Sequence, residues 1–386
     1  MAPRIGLLTL LALVSVQAKV PVIFAPGYGG SDIYLTFDSE QSIPAACAGL
    51  DLPVGKPFLA IPSKNGISSN SKCLKVVFSV PAPAGVVASV TDFGGYRGIS
   101  SAYWGVLNTF KAWGYELGRN FFGSPYDYRF MTKDGLKASG FSSAMQSLVE
   151  KAYTLNGNTK VVIIGHSNGP PTQYAFLASM SAEWKAKHVQ AMIGLSGNYL
   201  GQMNAYSSLF YNDDTDRQDM EATWDATYLS CPWGGYAGLA GVTLVTTQYQ
   251  TEQERNYTAL VQDVTSLFGS VGKDDWSYAL RAYYFEMDRS APPMVDTFCL
   301  YGSGVQTAFS YAFSGTILEA APTLTRTMDG DDNQDIFDNA FCKVWDAGLT
   351  AAGYRFEAQA FPGVHHMQMV SDEAVLARVK VILDSY

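Results

Sequence analysis

The chain has 386 residues, of which 47% are hydrophobic and 16% are charged, and its formal net charge is −9 at pH 7. This composition supports a large buried core and excludes a disordered chain. The acidic balance and the lack of a basic run exclude nucleic acid as a partner, because binding a phosphate backbone requires clustered Lys and Arg.

The N-terminus has the pattern of a secretory signal. Arg4 precedes an apolar stretch at residues 5–16, and Val-Gln-Ala at residues 16–18 offers the small residues at which signal peptidase cleaves. We therefore expect residues 1–18 to be removed. No later run reaches the roughly 18 uninterrupted apolar residues of a membrane span. The expected location is the secretory pathway, with the protein secreted or held in the lumen of a lysosome or vacuole.

Five cysteines become informative in such an oxidising compartment, because four of them can pair and one is left over. They are Cys47, Cys73, Cys231, Cys299 and Cys342. The sequence alone does not choose the partners, although pairing nearest neighbours would join the first two and the last two. Asn256 begins the only Asn-x-Ser/Thr sequon, which predicts a surface position if it is glycosylated.

The first half of the chain alternates strand and helix patterns. An apolar run at residues 20–25 predicts a buried strand that leads into a glycine-rich loop at 26–30. Residues 44–75 are rich in Gly, Ser and Pro and are bounded by the first two cysteines. They predict an excursion, which is a long segment outside the main sheet that the cysteine pair would close. Apolar residues at helical spacing predict helices near 103–113 and 141–152.

The second half continues this alternation after a short β-branched run and a helix. Residues 189–196 predict another strand, whereas residues 199–293 break the rhythm and predict an insertion over the C-terminal ends of the strands. Strand patterns return at 298–301 and 354–361, and residues 374–383 predict a closing amphipathic helix. Strands that alternate with helices indicate a mostly parallel sheet covered on both faces.

The most informative motif is Gly-His-Ser-Asn-Gly at residues 165–169. A β-branched run precedes it and an apolar helical pattern follows it, which is the order of a strand, a sharp turn and a helix. The two glycines let the backbone pass through a strained turn that exposes the hydroxyl of Ser167. In this context the motif predicts a nucleophile elbow rather than an ordinary connection.

A serine hydroxyl is a weak nucleophile at neutral pH and needs a general base, which is usually imidazole. The chain has four histidines. We expect the side chain of His166 to point away from that of Ser167, and His188, in a charged helix end, to be a surface residue. His365 and His366 follow the last predicted strand, where an α/β-hydrolase fold carries its base.

The acid is expected between the serine and these histidines, at the end of a late strand. Asp329, Asp331 and Asp332 form the densest candidate segment. Asp and Gly are also the usual turn residues, so a solvated turn is the alternative. The chain order of serine, acid and histidine favours the catalytic interpretation.

Acyl transfer also requires two backbone N–H groups aimed at the developing oxyanion. One is expected from Asn168, the residue after the nucleophile. The other is expected from Tyr28 in the loop Pro-Gly-Tyr-Gly-Gly at residues 26–30, where glycines allow a close approach to substrate. A phosphate-binding loop is the alternative, but neither a following Lys-Ser/Thr nor a helix pattern supports it.

Several segments resemble the lecithin:cholesterol acyltransferase family, and especially its group XV lysosomal phospholipase branch, in the right order over nearly the whole chain after residue 18. They are Pro-Val-Ile-Phe-Ala-Pro-Gly at 21–27, Gly-Ser-Pro-Tyr-Asp-Tyr-Arg at 123–129, the elbow at 161–169, Leu-Tyr-Gly-Ser-Gly-Val at 300–305 and Asp-Gly-Asp-Asp at 329–332. The sequon at Asn256 also falls where the family has one.

The resemblance implies an α/β-hydrolase fold, with a mostly parallel sheet flanked by helices, over residues 19–386. A disulfide-stapled lid would occupy residues 44–75, and an inserted cap would occupy residues 199–293. The family's two disulfides would fall on Cys47–Cys73 and Cys299–Cys342, which leaves Cys231 as the free thiol.

The resemblance also implies a catalytic triad of Ser167, Asp331 and His366, with no metal and no other cofactor. The chain departs from the family pattern in three places. Asn-Gln at 333–334 replaces the Thr-Val that follows the acid, and Asn-Tyr-Leu-Gly at 198–201 replaces Pro-Trp-Gly-Gly. The prolines at 170–171, directly after the elbow, are also unusual.

The implied function is a serine phospholipase A or acyltransferase. It would cleave acyl esters of glycerophospholipids at a membrane surface or a lipoprotein-like particle and pass the acyl group to water or to a lipid alcohol. Apolar residues in the first cysteine loop would either enter the lipid interface or pack onto the core. These residues are Leu50, Leu52, Val54, Phe58, Leu59 and Ile61. The alternative functions are a lipase or esterase acting on neutral or soluble esters and a non-catalytic lipid carrier.

Overall fold

The structure is a computed structural model that describes residues 19–61, 66–205, 214–232, 245–247, 272–276, 279, 289–313 and 323–386. The predicted signal at 1–18, the sequon at Asn256 and most of the predicted insertion at 199–293 lie outside these residues.

The strands of the described residues, numbered in chain order, form three sheets. They are β1 (Val22–Ala25), β2 (Ile33–Phe37), β3 (Phe58–Ile61), β4 (Val86–Val90), β5 (Phe121–Gly123), β6 (Val161–His166), β7 (Val189–Leu195), β8 (Val245–Thr247), β9 (Asp296–Ser303), β10 (Val305–Phe313), β11 (Thr323–Gly330) and β12 (Phe356–Pro362). The central sheet has six strands in the order β12-β9-β7-β6-β1-β5, and all of its neighbouring pairs are parallel.

Helices connect these strands and cover the central sheet. Those described are Ser71–Phe78, Trp104–Ala112, Lys133–Ala138, Phe141–Leu155, Gly169–Ser179, Ala182–His188, Thr215–Glu221, Asp225–Leu229, Ile336–Asn339, Asp346–Ala351 and Glu373–Asp384. None of the helices in the described ranges is long and apolar enough to cross a membrane. The predicted α/β-hydrolase fold is confirmed, and its predicted helices and strands shift by one to three residues at their ends.

Two hydrophobic clusters lie on opposite faces of the central sheet. Successive side chains of a strand point to opposite faces, and the strand residues divide accordingly: Ile23 and Ile163 belong to one cluster, whereas Val22, Phe24 and Val162 belong to the other. All of these side chains are fully buried. A strand buried on both faces must be apolar at every position, which explains the uninterrupted apolar runs in the sequence.

The excursion predicted at residues 44–75 contributes β3 to a second sheet, in which β2 pairs antiparallel with both β3 and β4. The Cys47–Cys73 disulfide joins a short 3-10 turn to the helix Ser71–Phe78. Leu52 and Phe58 are buried, and Leu50, Val54, Leu59 and Ile61 are half-buried. Packing onto the core is therefore the arrangement that these side chains adopt, which favours that alternative over entry into a lipid interface.

The segment that follows β5 holds the excursion against the central sheet. Arg129 is buried and binds the carboxylate of Asp127 through two hydrogen bonds of 2.9 and 2.7 Å. A third hydrogen bond of 3.0 Å reaches the carbonyl of Phe78, at the end of the excursion's helix. A planar guanidinium suits this arrangement because its donors point in several fixed directions.

The hairpin formed by β10 and β11 is a feature that the sequence analysis did not predict. All but two residues of β11 are exposed, so it carries no apolar stripe that would mark it as a strand. The hairpin matters because it delivers the predicted acid segment to the end of the central sheet. The Cys299–Cys342 disulfide joins β9 to the 3-10 helix Phe341–Trp345, and the fifth cysteine, Cys231, is buried and unpaired.

Candidate active site

Ser167 lies in a sharp turn between β6 and the helix Gly169–Ser179. Its φ angle is 60°, in the left-handed region that non-glycine residues rarely adopt. A side chain on Gly165 would come within 2.6 Å of the Pro170 nitrogen, and one on Gly169 would come within 2.7 Å of the Ala25 carbonyl. The two glycines of the motif are therefore required by the close packing of the turn, as expected for a nucleophile elbow.

The predicted acid and base lie next to each other. Nδ1 of His366 is 2.9 Å from Oδ2 of Asp331, and both side chains are buried. The other carboxylate oxygen of Asp331 accepts hydrogen bonds from the backbone N–H groups of Asn333 and Gln334, at 3.1 and 2.7 Å. Both oxygens of this carboxylate are thus held in place, and one of them faces the imidazole.

The carboxyl of Asp331 is poised to remain ionised although it is fully buried. Burial raises its pKa, but hydrogen bonds from His366, from the backbone of Gln334 and from Ser196, together with the charge of His366, outweigh that effect. The net pKa of Asp331 is lowered. An ionised carboxylate behind Nδ1 orients the imidazole and stabilises its protonated form during acyl transfer.

The neighbouring residues form a second His–Asp pair in a different environment. Nδ1 of His365 is 2.5 Å from Oδ2 of Asp332, and both side chains are close to half exposed. The structure therefore distinguishes between the two adjacent histidines and the two adjacent aspartates. The buried pair, Asp331 and His366, is the one that matches the family's catalytic positions.

His188 is buried, so the prediction of a surface histidine is wrong. Its ring packs against Tyr153 and Trp184, with ring centroids 5.0 and 4.9 Å away, and its Nδ1 is 3.0 Å from the carbonyl of Trp184. Of the two lysines that precede it, Lys187 faces solvent, whereas Lys185 is buried and donates to the carbonyl of Pro293 at 3.0 Å. His188, the last residue of the helix, also turns toward the core. His188 is a core histidine.

The glycine-rich loop after β1 lies directly against the nucleophile. A Cβ added to Gly27 would fall 2.7 Å from Cβ and 3.1 Å from Oγ of Ser167. Real Cβ atoms do not approach other atoms so closely, so only glycine fits. The next peptide bond carries the N–H of Tyr28, one of the two donors that the sequence analysis predicts for the oxyanion.

Backbone N–H groups around Ser167 divide into those that are bonded and those that are available. The N–H of Gly27 donates to the hydroxyl of Tyr103 at 2.9 Å, and the N–H of Ser167 donates to the carbonyl of Leu195 at 3.0 Å. Within the described part of the chain, the N–H groups of Tyr28 and Asn168 make no hydrogen bond. These are the two donors that the sequence analysis assigned to the oxyanion hole.

The side chain of Asn168 is held by three further contacts. Its Nδ2 donates to the hydroxyl of Ser230 at 3.1 Å and lies 3.3 Å from the sulfur of Met131. Its Oδ1 accepts from the Nδ2 of Asn198 at 2.7 Å. These contacts fix the residue whose N–H is available.

A family model described as "Lecithin:cholesterol acyltransferase" matches residues 63–223, a range that contains the elbow. "Lysosomal phospholipase A and acyltransferase" of Rattus norvegicus is 24% identical over 296 residues, which cover 74% of this chain and 67% of the rat protein. "Lecithin-cholesterol acyltransferase-like 1" of Oryza sativa subsp. japonica is 24% identical over 381 residues, which cover 94% of this chain and 86% of the rice protein. The chain is similar to the lecithin:cholesterol acyltransferase family, including its lysosomal phospholipase A members.

A sterol acyltransferase is also among the similar proteins. "Phosphatidylcholine-sterol acyltransferase" of Gallus gallus is 24% identical over 276 residues, which cover 68% of this chain and 62% of that protein. The chain thus spans about two thirds of the length of the animal relatives it matches. Among solved structures, "The crystal structure of Tle4-Tli4 complex" contains a similar chain with a TM-score of 0.59 and 12% identity. This match covers 95% of this chain and 98% of the other one, and it shows a shared fold alone.

Two departures from the lecithin:cholesterol acyltransferase pattern now have a structural account. Asn333 and Gln334 replace Thr-Val, but their contribution to the acid is two backbone N–H groups, which any residue type except proline supplies. Pro170 and Pro171 lie in the first turn of their helix, where backbone N–H groups have no helical partner to lose.

The third departure contributes directly to the site. Asn198 begins the segment that replaces the family's Pro-Trp-Gly-Gly. Its N–H donates to the carbonyl of Ser167 at 3.0 Å, and its side chain binds that of Asn168 at 2.7 Å. This residue therefore contacts both the predicted nucleophile and the predicted oxyanion residue. No local sequence pattern points to this role of Asn198, because its partners lie about thirty positions away in the chain.

Sequence analysis also missed two residues that line the elbow. Tyr103 was predicted only as part of a helix face, and His166 was set aside because its side chain points away from Ser167. In the structure the hydroxyl of Tyr103 is 2.9 Å from Nδ1 of His166, and Nε2 of His166 is 2.9 Å from the carbonyl of His366. Both side chains are buried.

A cavity of about 110 Å³ opens beside the proposed oxyanion loop. It is lined by Tyr28, Gln202, Asn204, Ala205, Glu221, Thr227 and Ser230. Tyr28 thus lines the cavity directly, and Ser230 in its wall binds the side chain of Asn168. In the described ranges, no group of three His, Cys, Asp or Glu side chains is arranged to hold a metal ion.

Proposed function

We propose that this protein, which is similar to the lecithin:cholesterol acyltransferase family, is a serine phospholipase A and acyltransferase. Its substrate is a fatty acyl ester of a glycerophospholipid, and its acceptor is water or a lipid alcohol such as a sterol or a ceramide-like lipid. The observation that carries the proposal is the buried Asp331–His366 pair beside the strained elbow of Ser167. The printed names of the relatives, which include a phospholipase A and a sterol acyltransferase, support the substrate class.

In the first half of the reaction, Oγ of Ser167 forms a bond to the ester carbonyl carbon, and its proton passes to Nε2 of His366. The negative charge on the carbonyl oxygen is stabilised by the N–H groups of Tyr28 and Asn168. The bond between the carbonyl carbon and the glycerol oxygen then breaks. His366 returns the proton to that oxygen, so lysophospholipid leaves and an acyl-enzyme remains.

In the second half, water or a lipid alcohol attacks the carbonyl carbon of the acyl-enzyme and gives its proton to His366. The bond to Ser167 breaks, and His366 returns the proton to Oγ. The product is a free fatty acid when water attacks and an acylated alcohol when a lipid alcohol attacks. No hydrogen bond joins Ser167 to His366 in the described structure; in ligand-free enzymes such bonds are often long and shorten when substrate binds.

We further propose that the protein works in the secretory pathway, either secreted or in the lumen of a lysosome or vacuole. The support comes from the signal-like N-terminus and from relatives whose printed names include "Lysosomal". The substrate would be presented by a phospholipid membrane or by a lipoprotein-like particle. The cavity beside Tyr28 has hydroxyl and amide groups in its wall, which suit the polar part of such a lipid.

The deciding experiment compares residues 19–386 of the wild type with Ser167→Ala on phosphatidylcholine liposomes, with and without an added sterol or ceramide. Free fatty acid, lysophospholipid and acylated alcohol are measured separately. We expect the wild type to release lysophospholipid and Ser167→Ala to lose this activity by several orders of magnitude. Ser179→Ala is the matched control, because Ser179 ends the same helix and its hydroxyl only binds the carbonyl of Phe176.

Two other results would replace the proposal. If the wild type leaves liposomes intact but cleaves a short-chain soluble ester, the protein is an esterase or lipase and the proposed substrate is wrong. If it cleaves neither substrate and Ser167 does not react with a fluorophosphonate probe, a non-catalytic lipid carrier on a hydrolase scaffold is the better account.

A further inference from the structure

A continuous chain of buried hydrogen bonds crosses the site behind the nucleophile. The N–H of Gly27 donates to the hydroxyl of Tyr103, this hydroxyl contacts Nδ1 of His166, and Nε2 of His166 contacts the carbonyl of His366, with each distance 2.9 Å. All four residues are buried. These hydrogen bonds thus join the glycine-rich loop at residues 26–30 to the loop that carries His366. They pass through His166, the residue that precedes Ser167.

The direction of each hydrogen bond follows from the groups present. A carbonyl oxygen only accepts, so Nε2 of His166 must carry a proton and donate to His366. The second nitrogen of a neutral imidazole has no proton, so Nδ1 accepts the hydroxyl proton of Tyr103. The same hydroxyl oxygen accepts a hydrogen bond from the N–H of Gly27. The hydroxyl of Tyr103 therefore both donates one hydrogen bond and accepts one.

The imidazole of His166 stays neutral over the range in which acyl transfer takes place. Burial lowers the pKa of His166 to about 3, and the neighbouring charge of His366 acts in the same direction. Protonation would place a hydrogen on Nδ1 and remove the acceptor for Tyr103. The neutral form, and with it the hydrogen-bond chain, therefore persists in an acidic compartment.

Each end of the chain holds a group on which the reaction depends. At one end, Gly27 lies against Ser167 and the next N–H, that of Tyr28, is available for the oxyanion. At the other end, the backbone of His366 is held on both sides. Its carbonyl accepts from His166, and its N–H donates to the carbonyl of Asp331 at 2.8 Å.

We propose that Tyr103 and His166 are positioning residues for acyl transfer. They hold the oxyanion donor of Tyr28 and the general base His366 at the positions around Ser167 that the reaction requires. Both residues are buried and act through Gly27 and His366. This role rests on the serine chemistry of the proposed function and is independent of the choice between lipid and soluble esters. Small displacements of reacting groups are costly, since an error of about 1 Å lowers a rate by as much as 100-fold.

The test is Tyr103→Phe, which removes one oxygen atom and keeps the ring that packs against Phe24. The matched control is Tyr96→Phe, because Tyr96 is equally buried, packs against the same Phe24, and binds only the main-chain carbonyl of Tyr103. Activity is measured on a short-chain ester and divided by the number of sites titrated with a fluorophosphonate. We expect Tyr103→Phe to lower kcat per titrated site by about 10- to 100-fold with little change in KM. Tyr96→Phe should stay within about twofold of wild type.

A second variant makes the result independent of stability. His166→Phe keeps a ring but removes both the donor to the carbonyl of His366 and the acceptor for Tyr103. If the hydrogen bonds act as a unit, Tyr103→Phe should cost much less activity in the His166→Phe background than in the wild type. Counting only titrated sites removes any contribution from misfolded protein.

The outcomes separate this role from the proposed function. If Tyr103→Phe matches Tyr96→Phe, or if the effects of Tyr103→Phe and His166→Phe simply multiply, the positioning role is wrong while the serine mechanism stands. If the wild type neither titrates nor cleaves any ester, the proposed function fails and this role fails with it.

Discussion

Asp331 binds His366 twice, once through its side chain and once through its main chain. Oδ2 of Asp331 is 2.9 Å from Nδ1 of the imidazole, and the carbonyl of Asp331 accepts the N–H of His366 at 2.8 Å. The two loops that carry these residues are therefore joined by a main-chain hydrogen bond as well as by the proposed catalytic contact. Asp332 and His365, the exposed pair beside them, are joined by a contact between their side chains. The described hydrogen bonds include no main-chain bond between these two residues.

Substituting the two aspartates in turn should separate the catalytic pair from its neighbour. Asp331→Asn is expected to lower kcat by about 10⁴-fold, because an amide no longer fixes the tautomer of His366 or stabilises its charge. Asp332→Asn should change kcat by no more than a few fold, since its partner is His365 in solvent. Steady-state hydrolysis of a soluble ester measures both. Comparable losses in the two variants would mean that the assignment of the acid is wrong.

Adding one methyl group to the oxyanion loop should abolish most activity. In Gly27→Ala the new Cβ would lie 2.7 Å from Cβ of Ser167 and 2.8 Å from the hydroxyl of Tyr103, so the loop must move. We expect kcat to fall at least about 100-fold, in line with the loss of an oxyanion donor.

Gly105→Ala is the control for that variant, because a Cβ at Gly105 meets nothing within 4 Å and the residue lies in the helix Trp104–Ala112. It should retain full activity and gain a little stability from its higher helix propensity. If Gly27→Ala were as active as Gly105→Ala, the oxyanion loop would have to lie elsewhere.

The stability of the protein should depend on pH through the buried carboxyl of Asp225. Burial raises the pKa of Asp225 to about 6, although hydrogen bonds from Thr132 and Met131 partly oppose the rise. A raised folded pKa means that the folded state binds the proton more tightly than the unfolded chain. The protonated carboxyl of Asp225 therefore contributes to the unfolding free energy. Its contribution is complete below about pH 4 and is lost as the pH rises through about 6.

Asp225→Asn should remove that dependence, because an amide resembles the protonated acid. Relative to wild type, the variant is expected to gain as much as about 3 kcal/mol in unfolding free energy between pH 4 and pH 7. Urea unfolding at a series of pH values measures the difference. Asp335→Asn should behave in the same way, since burial also raises the pKa of Asp335 to about 6. If the difference in unfolding free energy between each variant and the wild type did not vary with pH, this expectation would be wrong.

The apolar side chains of the excursion should contribute to folding rather than to membrane docking. The ring of Phe58 is 8% exposed and stacks on Phe37, with centroids 5.8 Å apart. Phe58→Ala is expected to lower the unfolding free energy by roughly 3–5 kcal/mol. Activities on liposomes and on a soluble ester should then fall together, in proportion to the folded fraction.

Val87→Ala provides the comparison for that experiment, because Val87 is 52% exposed on β4 of the same small sheet. Its effect on stability should stay within about 0.5 kcal/mol. If Phe58→Ala instead kept its stability and its soluble-ester activity but lost liposome binding, docking at the lipid interface would be the correct account of this segment.

The sequence by itself determined the features that depend on neighbouring residues. The run at 161–164 and the flanking glycines predicted β6 and the elbow, because periodicity and backbone freedom are local properties. The same applies to the helix Phe141–Leu155, whose buried residues follow the spacing of one helix face. The hairpin of β10 and β11 escaped prediction, because β11 is mostly exposed and has no apolar pattern.

Only the tertiary structure decided between candidates that share the same local sequence. His365 and His366 are adjacent, as are Asp331 and Asp332, so no local pattern on its own tells which member of each pair is buried. Which histidine and which aspartate are buried depends on contacts between two segments that are distant in the chain. Asp331 and His366, 35 positions apart, are buried, whereas Asp332 and His365 are exposed to solvent. The roles of Tyr103 and His166 were hidden for the same reason. Hydrogen bonds spanning 63 and 200 positions connect them to their partners, and such bonds exist only once the chain has folded.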